Sequence, residues 1–328
     1  MSDVLVRAEG LVKDYGQHRA LDGLELEVSR GEIFGFLGPN GAGKSTTIRI
    51  LLDQLRPTAG RAEVFGTAPR EGGPRQRARI GYLPGELALS GRDTAGALLD
   101  HLARLRGGAG TTRIPELAER FNLDLDRPIR GLSKGNKQKV GVIQALMHDP
   151  ELLILDEPTS GLDPLLQHEF LTMVREARDS GATVFMSSHV LSEVEEIAGR
   201  VAIVREGRIV DLDDVATLRH HAGQEVELTF AEPVPAEAFD GLPGVSDVEV
   251  DDGSVRCLLR GEPDALLKAA ARYHVTRWSA QDRELEDLFL DHYRVPVSDD
   301  DGEVVADPGS SVRAGTSAGS APDTERAR

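Results

Sequence analysis

Gly38, Gly43, Lys44 and Ser45, within the stretch Gly38, Pro39, Asn40, Gly41, Ala42, Gly43, Lys44, Ser45, Thr46, fit the spacing G-x-x-x-x-G-K-[S/T]. Small residues at Gly38, Gly41, Ala42 and Gly43 let the backbone curl tightly. Successive N–H groups and a helix N-terminus can then converge on one anionic ligand. The ligand implied is a nucleoside triphosphate: Lys44 reaches its β- and γ-phosphates, and the Ser45 hydroxyl binds Mg²⁺. The flanks agree, because apolar Ile33–Leu37 reads as a buried strand and residues 45–55 carry a helical pattern that ends before Pro57. The motif alone does not separate a kinase, a GTPase, a motor and a transport ATPase.

A second group of residues narrows the chemistry. Leu152, Leu153, Ile154 and Leu155 read as a parallel strand, which sets Asp156 and Glu157 at its carboxyl end, where open α/β sheets bind ligands. Asp156 is suited to orient Mg²⁺ through its water shell, and Glu157 to take a proton from the attacking water or align it. A further strand over residues 183–187 delivers Ser188 and His189 to the same edge, placing an imidazole where it can contact a γ-phosphate. Leu132, Ser133, Lys134 and Gly135 open a helix over residues 136–147 and make a second anion-ready helix start. Ser160, Gly161, Leu162 and Asp163 lead into another helix whose first residue is Pro164. The other histidines, His18 and His148 among them, have no such placement and receive no role.

The elements that must hold these residues can be read in order. Residues 4–8 and 24–28 alternate as antiparallel edge strands, with Tyr15 in the connection between them, where its ring can stack on an adenine or stand as an ordinary half-exposed tyrosine. Short strands are expected over residues 61–65 and 79–83. Apolar residues at helical spacing over 93–106 and 114–121 predict a helical subdomain inserted between strands of the nucleotide domain. The basic run Arg70, Arg75, Arg77 and Arg79 has no interleaved aromatics and reads as a solvated face.

Composition excludes several classes. A formal charge of −17 over 328 residues opposes broad binding to nucleic acid or anionic lipid, both polyanions. Attachment to a membrane therefore runs through a protein. The single cysteine, Cys257, excludes an intramolecular disulfide framework and a cysteine-rich metal site, and its apolar neighbours make it a buried small hydrophobe. The first residues lack the basic and apolar regions of a signal peptide, and no apolar run approaches the length of a membrane span.

Taken together, Gly38 to Ser45, Leu132 to Gly135 with Gln138, Leu153 to Glu157, Ser160 to Asp163 and His189 resemble the nucleotide-binding subunit of ATP-binding cassette transporters, in family order over residues 3 to about 220. The resemblance implies an α/β fold: a P-loop NTPase cassette with antiparallel edge strands and an inserted helical subdomain. It implies ATP and Mg²⁺ as ligands, a homodimer that pairs head to tail, and an integral-membrane permease as partner, with no nucleic acid. The chain would then be cytoplasmic and peripheral on the inner face of the membrane. Carried onto this sequence, Ser133 and Gly135 contact the γ-phosphate held by the other copy, Glu157 is the general base, and His189 senses the γ-phosphate. Asp163 makes a cross-interface contact and Tyr15 is the adenine platform. Three positions depart from the family pattern: Gly85 and Glu86 follow Tyr82, Leu83 and Pro84 where YxPQ is usual, leaving Glu86 as the stand-in for a metal-touching glutamine. Lys134 replaces the first glycine of LSGGQ, and Asn136 its glutamine.

Residues 221–295 read as a second, ferredoxin-like α+β domain. Strands are expected over 226–230, 245–250, 255–259 and 275–279, and helices over 263–271 and 284–292. This part resembles the C-terminal extension of drug-export ATPases of the daunorubicin and bacitracin resistance type, including Leu285 to Leu290. Residues 296–328, rich in Asp, Ser, Gly, Ala and Pro, are expected to be a disordered acidic tail. The expected function is ATP hydrolysis that drives a separate export permease. The rival is a cassette ATPase acting on ribosomes or DNA, which generally carries two cassettes or a long coiled coil and basic surfaces.

Overall fold

Alternation of apolar and polar residues at the start of the chain builds two long antiparallel strands, β1 (Val4–Tyr15) and β2 (His18–Ser29), joined by a turn at Gly16 and Gln17. The computed structural model describes residues 3–283. β1 does not stop near Ala8 as expected: it continues through register shifts to Tyr15, which is the last strand residue rather than part of a connection. β3 (Ile33–Leu37) and α1 (Lys44–Leu51) follow, and β4 (Ala59–Val64) returns to pair with β1, completing a three-stranded sheet in the order β2-β1-β4.

The chain then runs through α2 (Pro69–Arg77), β5 (Ile80–Leu83), α3 (Ala95–Leu105), α4 (Ile114–Arg120), α5 (Lys134–Leu146) and β6 (Leu152–Asp156). It continues through α6 (Pro164–Asp179), β7 (Thr183–Ser188), α7 (Leu191–Ile197), β8 (Arg200–Arg205), β9 (Arg208–Asp214) and α8 (Val215–Ala222). Six of these strands form one sheet, β5-β6-β7-β3-β8-β9, parallel except for the β8–β9 hairpin. In the basic run, Arg79 pairs with both oxygens of Glu151 at 2.6 Å and stacks 3.7 Å from the Phe65 ring centroid, while Arg70, Arg75 and Arg77 are exposed.

The period of two divides the buried strands between two cores. Ile33, Leu37, Leu153, Leu155, Val184, Met186, Val201 and Ile203 face the helices, among them α3 to α7. Phe34, Phe36, Leu152, Ile154, Phe185, Ala202 and Val204 face α1 and the three-stranded sheet. Gly35 must lack a side chain, because a Cβ there would lie 2.2 Å from Val194 Cγ1. That close approach seats α7 directly on the sheet.

A third core lies under a separate sheet. β10 (Gln224–Phe230), β11 (Val245–Asp251), β12 (Ser254–Leu259) and β13 (Val275–Asp282) form an antiparallel sheet in the order β11-β12-β10-β13, and α9 (Asp264–Ala270) lies between β12 and β13 in the chain. Between β10 and β11 there is only a 3₁₀ turn, Ala236–Ala238. Cys257 is 4% exposed, and burial pushes its thiol up to about 11, as suits a small core hydrophobe. The helix expected over 284–292 and the tail lie outside the described residues.

One histidine gives this fold a pH signature. His148, just after α5, is half-buried with Nε2 3.2 Å from the Ile80 carbonyl, and burial, reinforced by nearby Arg106, pushes its pKa down to about 4. An unfolded histidine titrates near 6.5. Between those values the unfolded chain holds a proton that the folded chain rejects, so this contribution is complete above about pH 6.5 and is lost as pH falls toward 4. His148→Gln, which keeps a donor for Ile80, is expected to show a shallower fall in melting temperature over that window. Thermal unfolding of both proteins at stepped pH checks it.

Candidate functional site

The loop between β3 and α1 is shaped by what surrounds it. A Cβ on Gly38 would lie 2.4 Å from the Val204 carbonyl oxygen, and one on Gly43 would lie 2.8 Å from the Ala20 oxygen, so neither position has room for a side chain. Gly43 also has φ +110° and precedes α1 without any side-chain cap. The N-terminus of α1, with no acid in its first turn, is therefore open to an anion.

Lys44 is 5% exposed and its ammonium is folded back onto the loop. Nζ donates to the Gly38 oxygen at 2.5 Å and the Pro39 oxygen at 3.2 Å, and it lies 3.2 Å from Glu157 Oε1. That pair is electrostatic: Glu157 Oε1 is buried without an aligned hydrogen bond. Glu157 adopts φ +49°, the left-handed region that a glutamate seldom occupies, and its N–H donates to the Ser187 carbonyl at 3.1 Å. Its other oxygen, Oε2, faces Nδ1 of His189.

Asp156 is buried at the end of β6, and Ser187 donates its hydroxyl to Oδ1 at 2.6 Å. The parallel register that pairs Asp156 with Ser187 explains the contact. Gly85 lies against the same carboxylate, since a Cβ there would be 3.5 Å from Asp156 Cγ, and the next residue, Glu86, is exposed.

A cleft of about 330 Å³ is lined by Tyr15, His18, Ala20, Pro39, Asn40, Gly41, Gly43, Lys44, Ser45, Thr46, Arg49 and Glu157. Tyr15 is 44% exposed at its rim, with Lys13 Nζ 5.3 Å from the ring centroid. Three lining residues, His18, Ala20 and Arg49, escape a motif search. The signals were nonetheless local: His18 pairs with Tyr15 across the hairpin turn, and Arg49 stands one helical turn after Ser45. The hairpin is tied to the phosphate loop through the β8–β9 turn, because Asp22 N–H donates to the Gly207 oxygen and Gly207 N–H to the Ala42 oxygen, both at 3.0 Å. Arg208 grips Asp22 at 2.6 Å and holds its carboxyl below the usual range.

Leu132, Ser133, Lys134 and Gly135 do not line this cleft. Ser133 caps α5, its Oγ accepting the Asn136 N–H at 3.2 Å, and the helix begins at Lys134 rather than Asn136. Lys134 is exposed and its methylene stem lies along Gly161, while a Cβ on Gly135 would come 2.8 Å from the Gly161 oxygen. Gln138 is buried and donates to the Pro158 oxygen at 2.9 Å, locking α5 to the loop that follows Glu157. Asp163 caps α6 by accepting the Leu166 N–H at 3.1 Å. Asp163→Ala is expected to cost about 1 kcal/mol of stability through that cap, and Asp163→Ser almost none. Denaturant unfolding measures the difference, and loss of hydrolysis in both variants would separate a contact role from the cap.

The donor set fits Mg²⁺ bound with phosphates. Among the described residues no group of three or more His, Cys, Asp or Glu side chains could hold a metal by itself. Mg²⁺ prefers oxygen ligands and is usually held by one or two carboxylates together with substrate phosphates. Ser45 lines the cleft and supplies such an oxygen, Asp156 is buried at the end of β6 outside the cleft lining, and Glu157 Oε1 is a buried oxygen with no hydrogen bond of its own.

Comparison with known proteins agrees with this geometry. A family model described as ABC transporter matches residues 21–160. The chain is 32% identical over 258 residues to the bacitracin transport ATP-binding protein BcrA of Enterococcus faecalis, covering 77% of this chain and 84% of that protein. It is 36% identical over 258 residues to the daunorubicin resistance ATP-binding protein DrrA3 of Streptomyces coeruleorubidus, covering 76% and 81%. A solved ATP binding subunit of an ABC transporter superposes with TM-score 0.62 at 31% identity, over 66% of this chain and 92% of that one. The chain belongs to the ABC transporter family, and it is an ATP-binding, ATP-hydrolysing member of it.

Proposed function

We propose that this ATPase energises a separate membrane permease for export of a drug, an antibiotic or another small molecule, and that it works as a homodimer. The observation that carries the reading is a division of labour within the fold. Lys44, Glu157 and His189 converge beside one cleft, whereas the exposed Ser133 and Lys134 and half-buried Gly135 stand outside it. A second copy can supply what the cleft lacks. The bacitracin and daunorubicin names of the relatives support export as the direction. No described helix is long and apolar enough to cross a membrane. The names of the relatives, ATP-binding proteins of transport and resistance systems, support a separate permease and a place on the cytoplasmic face of the membrane.

In the proposed cycle the adenine stacks on Tyr15 and the phosphates enter the loop at the N-terminus of α1. Lys44 turns from Glu157 to the β- and γ-phosphates. Ser45 and Asp156 would hold Mg²⁺, which supplies charge neutralisation on the phosphates. Glu157 orients the attacking water and accepts its proton, and His189 holds the γ-phosphate. Ser133, Lys134 and Gly135 of the second copy close over the γ-phosphate, and Asp163 contacts across the interface. Residues 1–220 form the ATP-binding domain in this reading, and 221–295 an accessory domain.

The rival, action on ribosomes or DNA, is opposed by the net charge of −17, which repels a polyanion. Affinity purification of the tagged protein from gently solubilised native membranes tests the choice. A multi-span membrane protein recovered in near-stoichiometric amount is the expected result. Recovery of ribosomal or nucleic-acid proteins alone would overturn the transport role.

A further inference from the structure

Glu157 sits in a turn that is anchored on both sides. Its N–H donates to the Ser187 carbonyl in β7 at 3.1 Å. The next carbonyl along, that of Pro158, accepts from Nε2 of Gln138 at 2.9 Å. Gln138 is the fifth residue of α5 and is 4% exposed, and Pro158 is buried, so the bond lies out of bulk water. The turn is closed on itself: Ser160 N–H donates to the Glu157 oxygen at 3.3 Å and Leu162 N–H to the Thr159 oxygen at 3.0 Å. A displacement of Pro158 therefore reaches Glu157, whose φ of +49° is kept only where the surroundings impose it. The start of α5 also rests on the far end of the same turn, where the Lys134 stem lies along Gly161 and Gly135 has no room for a Cβ against the Gly161 oxygen.

We infer that Gln138 is a positioning residue for hydrolysis: it fixes the Glu157 turn to the helix start that meets the second copy. The inference rests on the roles proposed above for Glu157 and for Ser133, Lys134 and Gly135. Gln138 is not part of the cleft lining and its bond is made to a backbone carbonyl, so it acts through the turn and not on ATP. With the amide in place, a movement of the helix start onto the nucleotide of the other copy carries Glu157 along. Without it, the helix start keeps its Ser133 cap, while the turn loses the anchor next to Glu157 on the α5 side. A purely structural reading also exists, in which Gln138 does no more than satisfy a buried carbonyl. On that reading its loss costs stability and leaves kcat alone.

The test is steady-state phosphate release by the full-length chain and its Gln138→Met and Gln138→Asn variants, with melting temperatures measured alongside. Methionine keeps the length of the side chain and loses the donor, whereas asparagine keeps the amide but is one methylene short of Pro158. Both are expected to lower kcat by about 10–100-fold, the cost of a small misplacement of a catalytic group, with KM for ATP changed by less than about twofold. Placed in a Glu157→Gln background, Gln138→Met is expected to leave ATP-driven pairing unchanged by sedimentation velocity, because the surface offered to the other copy is intact. A kcat within about twofold of wild type in either variant would overturn the inference, even if its melting temperature falls. So would loss of pairing in the double variant, which would place Gln138 at the dimer contact rather than behind Glu157. Glu157→Gln alone separates the levels: wild-type hydrolysis there rejects the base assignment, absence of pairing with ATP rejects the homodimer, and slow hydrolysis with a normal Gln138→Met rejects only Gln138.

Discussion

Glu157→Gln lowers ATP hydrolysis by about 10²–10⁴-fold, the range for loss of a general base, and leaves ATP binding intact or tighter. The geometry gives both halves of this expectation. The Glu157 carboxylate lies 3.2 Å from Lys44 through one oxygen and faces His189 through the other. Both cations or donors are the ones proposed for the γ-phosphate, so the phosphate has to displace a carboxylate from them. An amide competes less strongly for an ammonium than a carboxylate does. Removing the charge therefore removes the base and a competitor together. Phosphate release and equilibrium nucleotide binding, measured on the same preparation, separate the two effects. Near wild-type turnover would mean that Glu157 is not the base.

Lys44→Ala weakens ATP binding by about 10²–10³-fold, or about 3–4 kcal/mol, as expected when one partner of a buried charge pair is truncated. Lys44 is almost wholly enclosed by loop carbonyls and Glu157. Lys44→Arg does not rescue, because a planar fork cannot replace a compact ammonium packed against the Gly38 oxygen at 2.5 Å. Titration with a fluorescent ATP analogue gives the affinities. Wild-type affinity in the alanine variant would show that the phosphates bind elsewhere.

Much of the fold and the site was legible because the informative patterns are local. The strand, loop and helix around Gly38 to Ser45 lie within one short stretch, and the apolar run that ends at Asp156 announces its own position at a strand's carboxyl end. What stayed hidden depends on pairings between distant segments. Ser187 reaches Asp156 only because β6 and β7 are parallel neighbours in that register. Glu157 turns back toward Lys44 through a left-handed backbone angle that no propensity favours in glutamate. The β8–β9 hairpin carries no motif and enters the site only through Gly207, whose amide and carbonyl connect the phosphate loop to the Tyr15 hairpin. Lys134, a departure from the usual signature, is accommodated because it is exposed, with its stem lying along Gly161.

The central claim is that two copies of this chain complete each other's ATP site. Sedimentation velocity of Glu157→Gln with and without Mg²⁺ and ATP tests it most directly, since a protein that binds ATP but hydrolyses it slowly holds the closed state long enough to be weighed. The account predicts a single-chain species without nucleotide and a two-chain species with it. A single-chain species at saturating ATP, with binding confirmed in the same sample, would contradict it.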